Sequence, residues 1–365
     1  MTAGAAAGRP APGAPTASDL ALLSGLVAIP SVSGAEAAAA AWLAAAMRAR
    51  GLSAALDAAG NVVGVAEPVA APRAGDLYCL GHVDTVPGFW PPRTAGGRLT
   101  GRGASDAKGP LAAFVAAAAR ARASGRLRRR VWVLGAVEEE GSSRGAHHLA
   151  ATLPAPAFLV VGEPSGAGRV VLGYRGRLQA TLAVRQPARH SSRRDPTAAE
   201  RALALWPAVQ ALAAELGPGP GEFGAVGAHL VAVEHSGDGL TDTGRLRLDF
   251  RLPPPVPPGL LAGRLRALDP AAELTVEGAQ AAVTVPRQGP LPAAFARAIR
   301  ATGPPVGWLR RLGSSDLNVV LPAWGCPAVV YGPGDSALDH TPEESIALAD
   351  YGRAITVLTE VLLTL

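Results

Sequence analysis

The chain has 365 residues, 48% hydrophobic and 17% charged, with 34 basic against 29 acidic side chains and a formal net charge of +5. That length suits about two domains and a sizeable core. No apolar run approaches the roughly 20 residues of a membrane span, and an aromatic content of 4% without arginine–aromatic interleaving argues against nucleic acid as a partner.

In chain order, residues 1–16 are rich in Ala, Gly and Pro, with no charged start and no clean apolar core. They read as a disordered tail rather than a signal peptide. A helix is expected from Asp19, a break at residues 30–34, and a second helix through Met47. Short apolar runs at 77–80, 131–134, 158–161 and 328–331 read as strands, and each leads into a motif. Helices are expected over 110–124 and 145–152. Continuous apolar strands alternating with helices predict an α/β catalytic domain with a mostly parallel, buried sheet. Ligands then gather at the strand C-terminal ends.

Residues 176–283 follow a different pattern. Strands at 178–184, 230–233, 245–252 and 274–276 flank helices at 197–216 and 258–268, which predicts an inserted α+β domain. The catalytic domain is thereby discontinuous, residues 17–175 and 284–365. Cys79 and Cys326 make no disulfide framework; Cys79 lies in an apolar run and reads as a buried thiol. A reduced, cytoplasmic setting follows.

Five motifs carry the chemistry. In Gly81-His82-Val83-Asp84, His82 and Asp84 are two apart, so on an extended segment they face the same way. His82 then suits a metal and Asp84 suits fixing its ring; a core histidine with a turn aspartate would read the same. Asp106 follows Gly101-Arg102-Gly103 and precedes Lys108-Gly109. It is either a carboxylate bridging two metals or a helix N-cap. Glu138-Glu139-Glu140 follows an apolar strand directly, and three adjacent carboxylates repel unless cations or solvent separate them. One suits metal and its neighbour suits a general base for water. Glu163 lies in Gly162-Glu163-Pro164, and His340 in Asp339-His340-Thr341-Pro342 before an expected helix near Pro342. Two histidines and intervening carboxylates form a nitrogen/oxygen donor set suited to Zn²⁺, Co²⁺ or Mn²⁺.

On these motifs the chain, from about Asp19 onward, resembles the acetylornithine deacetylase/succinyl-diaminopimelate desuccinylase family of dinuclear metallohydrolases. The resemblance implies two divalent ions, Zn or Co, with His82, Asp106 and Glu163 on one and Asp106, Glu140 and His340 on the other. It implies Asp84 as the orienting residue and Glu139 as the base; the alternative register makes Glu138 the base and Glu139 the ligand. It implies further that the insert, residues 176–283, is a dimerisation lid. His190 then resembles the histidine offered to the neighbouring subunit's oxyanion, and Arg251 a candidate for a substrate carboxylate.

A closer resemblance is to the LysW-lysine/ornithine hydrolase branch of lysine and arginine biosynthesis. Its supports include Gly162-Glu163-Pro164-Ser165-Gly166, Leu172-Gly173-Tyr174-Arg175-Gly176-Arg177-Leu178 and Tyr331-Gly332-Pro333-Gly334-Asp335-Ser336. That branch releases lysine or ornithine by cleaving its amide to the C-terminal glutamate of a small acidic amino-group carrier protein. A basic enzyme surface suits such a carrier. The loop from Gly141 to Arg144 and the pair Arg193-Arg194 depart from the branch. The alternative is a free-standing N-acyl-amino-acid deacylase or dipeptidase.

Overall fold

Four apolar runs form the parallel centre of one sheet. Leu77–His82 lies between Val131–Ala136 and Phe158–Val161, and Ala328–Val330 continues beyond the latter, all parallel. These strands are buried almost throughout, because helices cover both faces, and so they carry no polar alternation. The flanks are antiparallel: Val62–Ala66 and Ser53–Leu56 on one side, Arg169–Tyr174 on the other. This computed structural model describes residues 13–70, 73–190, 192, 194–303 and 305–365.

Helix Lys108–Ala123 is buried along most of its length and packs against Ala17–Val27 and Leu348–Thr364. Its many alanines let its neighbours approach closely around Leu111, Phe114 and Val115. Residues 1–12 of the expected tail lie outside the described residues. Thr16, expected in the tail, instead caps the first helix: its hydroxyl accepts the Asp19 N–H, and Asp19 answers at the Thr16 N–H.

The chain divides into two compact units. The first runs to Leu172 and resumes over Val285–Leu309 and Val319–Leu365; the second is Gly173–Thr284 with Arg310–Asn318. Arg310–Asn318 belongs with the second unit because the Asn318 amide donates to the Arg175 and Ala281 carbonyls. The second unit is a four-stranded antiparallel sheet in the order Gly227–Gly237, Thr241–Leu252, Gly176–Pro187, Glu273–Gln280. Its apolar face packs with its helices around Leu182, Leu246, Leu248 and Phe250.

Two local expectations differ. The helix expected over 197–216 is two, Ala198–Leu203 and Trp206–Leu216, with Pro207 in the first turn of the second, where its missing N–H costs nothing. No helix starts near Pro342. The strand Ser345–Ala347 comes first, pairing with the hairpin Arg93–Ala95/Arg98–Thr100, and the helix begins at Leu348.

Candidate dinuclear metal site

His82 ends its strand and is 1% exposed. Its Nδ1 lies 3.0 Å from the Asp84 carbonyl and 3.4 Å from Asp84 Oδ1, and its Nε2 lies 3.3 Å from Asp106 Oδ1. Asp84 is fully buried and does more than face His82. Its Oδ1 accepts the Glu139 N–H at 3.1 Å, and its Oδ2 accepts the Glu140 N–H at 3.0 Å and the Ser33 hydroxyl at 2.7 Å. Burial opposes charge on both groups, but hydrogen bonding prevails: bonds to Asp106 and then Asp84 push His82 well up, and the bond to His82 holds Asp84 below the usual carboxylate range.

Asp106 is not a helix cap. The N-cap of the following helix is Ala107, without a side-chain hydrogen bond, and the Asp106 carboxylate faces the two histidines. Burial alone would raise it, yet hydrogen bonds from His340 and His82 hold it well below the ordinary range. His340 has a left-handed backbone, φ 63°. Its Nε2 lies 2.8 Å from Glu140 Oε1 and 3.1 Å from Asp106 Oδ2, and hydrogen bonding to Asp106 and then Glu140 pushes it up to about 10. Beside it, burial and then the Asp106 charge push Asp339 up to about 8.

The three consecutive glutamates separate. Glu138, at φ 59°, directs its side chain to the Ser142 hydroxyl at 2.5 Å and the Arg144 Nε at 2.7 Å. Glu139 and Glu140 group with His82. Glu163 joins His82 and Asp106, just beyond Gly162, whose N–H donates to the Leu80 carbonyl at 2.7 Å. Gly162 is needed there, since a Cβ would lie 2.5 Å from the Phe114 ring.

Six side chains thus form three overlapping groups: His82, Asp106, Glu163; His82, Glu139, Glu140; and Asp106, Glu140, His340. Within each, the ligand atoms lie within 4.8 Å of one another. Four carboxylates face two imidazoles, so with neutral imidazoles the set carries four negative charges, which two divalent cations offset. Nitrogen and oxygen donors without thiolate suit divalent transition-metal ions. Cys79 is buried in the sheet, where burial pushes its thiol up, and Cys326 is likewise a free thiol.

The other two expected residues belong to the second unit. His190 is exposed, its Nδ1 2.9 Å from the Ser192 hydroxyl. Arg251 is partly buried, its Nε 3.6 Å from Asp249 Oδ1 and its NH1 3.4 Å from Ser314 Oγ.

Several further residues surround the site. Glu344 is 1% exposed, and its Oε1 accepts the Ser105 and Asp106 N–H groups at 3.0 and 3.1 Å. Its Oε2 pairs with Arg102 at 2.7 Å. Lys108 is buried and donates to the Ile29 carbonyl at 2.6 Å; burial lowers its amine to about 8. Glu36 accepts the Glu138 N–H at 3.1 Å. Arg102 and Lys108 lie in the Gly-Arg-Gly and Lys-Gly pieces of the motif around Asp106; Glu344 and Glu36 belong to no such motif.

The family described as Peptidase family M20/M25/M40 matches residues 79–364. A protein from Deinococcus radiodurans named [LysW]-lysine hydrolase is 41% identical over 349 residues, 92% of this chain and 94% of that protein. One from Sulfurisphaera tokodaii named [LysW]-lysine/[LysW]-ornithine hydrolase is 30% identical, covering 77% of this chain and 79% of its own. Among solved structures, an M20 family metallo-carboxypeptidase from Sulfolobus solfataricus superposes with a TM-score of 0.76 at 21% identity, over 95% of this chain and 98% of that one. A dinuclear metal binding peptidase of the M20 family from Bacillus subtilis gives 0.67 at 12% identity, over 94% and 96%.

Proposed function

This chain belongs to peptidase family M20/M25/M40, and we propose that it is a two-metal amidohydrolase that frees lysine or ornithine from an amino-group carrier protein. It is a metal-dependent hydrolase of carbon–nitrogen bonds. The observation that carries the two-metal reading is the membership of Asp106 in two donor groups, one with His82 and Glu163 and one with Glu140 and His340. In this reading Asp106 is shared between the ions and the other four side chains divide between them. Zn²⁺ or Co²⁺, when bound, supplies Lewis acidity to the amide carbonyl and makes water a nucleophile at neutral pH.

Glu139 is then the base: it takes the proton of the attacking water and returns it to the leaving amine. Two observations support this register over the one beginning at Glu138. Glu138 turns to Ser142 and Arg144, and Asp84 fixes the backbone of both Glu139 and Glu140. Asp84 also orients the His82 ring. His190 stabilises the oxyanion, offered across a homodimer, and its exposure leaves it accessible for that role. Arg251 takes a substrate carboxylate with its guanidinium fork.

The carrier-linked substrate is favoured because the 41% identical relative bears a LysW-lysine name and aligns along nearly its whole length. The charge distribution refines the steering argument. Arg120, Arg122, Arg126, Arg128, Arg129 and Arg130 cluster where helix Lys108–Ala123 ends and strand Val131–Ala136 begins. Asp19, Glu67 and Asp76 pair with this cluster, so six arginines against three carboxylates hold an excess of three of the net +5. That cluster lies at the strand's N-terminal end, whereas Glu139 and Glu140 follow its C-terminal end. A cytoplasmic setting is supported by two free cysteines; among the described residues no helix is long and apolar enough to cross a membrane.

The test compares kcat/KM for carrier-linked lysine, carrier-linked ornithine and free N-acetyl-lysine. Higher efficiency on a carrier-linked substrate is expected. Equal or higher efficiency on N-acetyl-lysine would replace this reading with a free-standing deacylase.

A further inference from the structure

Arg102 and Glu344 form an ion pair with side chains only 8% and 1% exposed, joining segments 242 residues apart. Each partner also holds one of the two segments that carry the shared and terminal donors. Glu344 Oε1 accepts the N–H groups of Ser105 and Asp106, at 3.0 and 3.1 Å. The Arg102 NH2 donates to the His340 carbonyl at 3.4 Å, and its Nε donates to the Gly88 carbonyl at 3.1 Å. The Trp90 ring lies against the guanidinium, 5.1 Å from its centroid. The small sheet delivers this arrangement: Ser345–Ala347 pairs with Arg98–Thr100, and the Gly101 N–H donates to the Glu344 carbonyl at 3.2 Å.

We infer that the Arg102–Glu344 pair is a positioning device, holding the Asp106 and His340 segments at the separation that lets both side chains serve one ion. Buried ion pairs add little net stability, because desolvation consumes most of the attraction. What such a pair gives is register. Here the register is between Asp106, which belongs to two donor groups, and His340, which has a left-handed backbone and a half-exposed side chain and so has little packing to fix it. Glu344 controls Asp106 through two N–H bonds, and Arg102 links that control to His340. The hydrogen bonds that orient a metal's ligands are worth roughly 10- to 100-fold in metal affinity.

This inference rests on the proposed two-metal reading, so the experiment measures the unmodified chain beside the variants. Co²⁺ affinity is measured by competition with a coloured chelator, together with the visible spectrum of the Co²⁺-loaded protein and the melting temperature of the metal-free protein. Glu344→Gln removes the charge that Arg102 needs, so both affinity and metal-free stability should fall. The double variant Arg102→Met/Glu344→Gln removes the stranded guanidinium and should recover much of the melting temperature. Its Co²⁺ affinity should stay reduced by about 10-fold or more, with an altered spectrum. If Glu344→Gln does not fold, the double variant alone decides. Co²⁺ affinity and spectrum like those of the unmodified chain in the double variant would overturn the inference. Absence of Co²⁺ binding by the unmodified chain would instead overturn the two-metal reading.

Discussion

Replacing Asp84 by asparagine is the sharpest single perturbation of the site, because no orientation of the amide can satisfy what the carboxylate satisfies. Oδ1 accepts the Glu139 N–H, and Oδ2 accepts the Glu140 N–H. An asparagine offers one oxygen and one NH2, so one of these two part-buried N–H groups must face another donor. The Ser33 hydroxyl can rotate to accept, but a backbone N–H cannot. A stranded buried donor costs about 1–3 kcal/mol, and the lost charge weakens the contact with His82. Asp84→Asn should therefore destabilise the metal-free chain by about 2 kcal/mol, roughly 30-fold in the folding equilibrium. Because the Asp84 carboxyl is held below its ordinary value, this difference is fully present above roughly pH 4. It is lost as pH falls through the lower folded value. Urea denaturation of both proteins across pH gives the difference directly. Metal affinity should fall as well, since the backbone of Glu139 and Glu140 loses its anchor. Stability within about 0.5 kcal/mol of the unmodified chain, with metal affinity unchanged, would refute the reasoning.

The remaining expectations concern the register, the packing and the charge. Glu139→Gln should retain metal and lose about 100-fold or more in turnover, whereas Glu140→Ala should lose metal; metal analysis reads both, and metal loss confined to the Glu139 variant moves the roles to Glu138 and Glu139. Gly162→Ala places a Cβ 2.5 Å from the Phe114 ring and should lower stability by about 1–3 kcal/mol through overpacking, measured by denaturation. Arg126→Glu/Arg128→Glu should leave kcat/KM for a carrier-linked substrate unchanged within about twofold, because a helix the length of Lys108–Ala123 spans about 24 Å, well past the roughly 8 Å Debye length at physiological salt; a large fall would make that face part of carrier recognition.

Most of the candidate donors that the structure groups together were legible because they follow a punctuated signal. His82, Glu139, Glu140 and Glu163 come directly after continuous apolar runs, and Asp106 comes after a Gly-Arg-Gly turn. A buried parallel sheet produces such runs whatever its neighbours. Glu344 was not legible, because a glutamate in the first turn of the helix expected near Pro342 reads as a solvated helix-start charge. Its burial depends on a three-residue strand pairing with Arg98–Thr100, far away in sequence. The same short strand displaced the helix expected near Pro342. The second role of Asp84, at the Glu139 and Glu140 N–H groups, was hidden for a similar reason: the spacing of His82 and Asp84 speaks only of each other. Pro207 did carry a readable signal, since proline favours the first turn of a helix, and a continuous helix over 197–216 overlooked it.

The central claim is that two divalent ions on these side chains carry out amide hydrolysis. The direct measurement is to strip the chain with a chelator and return Zn²⁺ or Co²⁺ stepwise, following release of free lysine from its carrier conjugate. Activity should vanish on stripping and reach its plateau at two equivalents per chain. Full activity in the stripped chain, or a plateau at one equivalent, would contradict it.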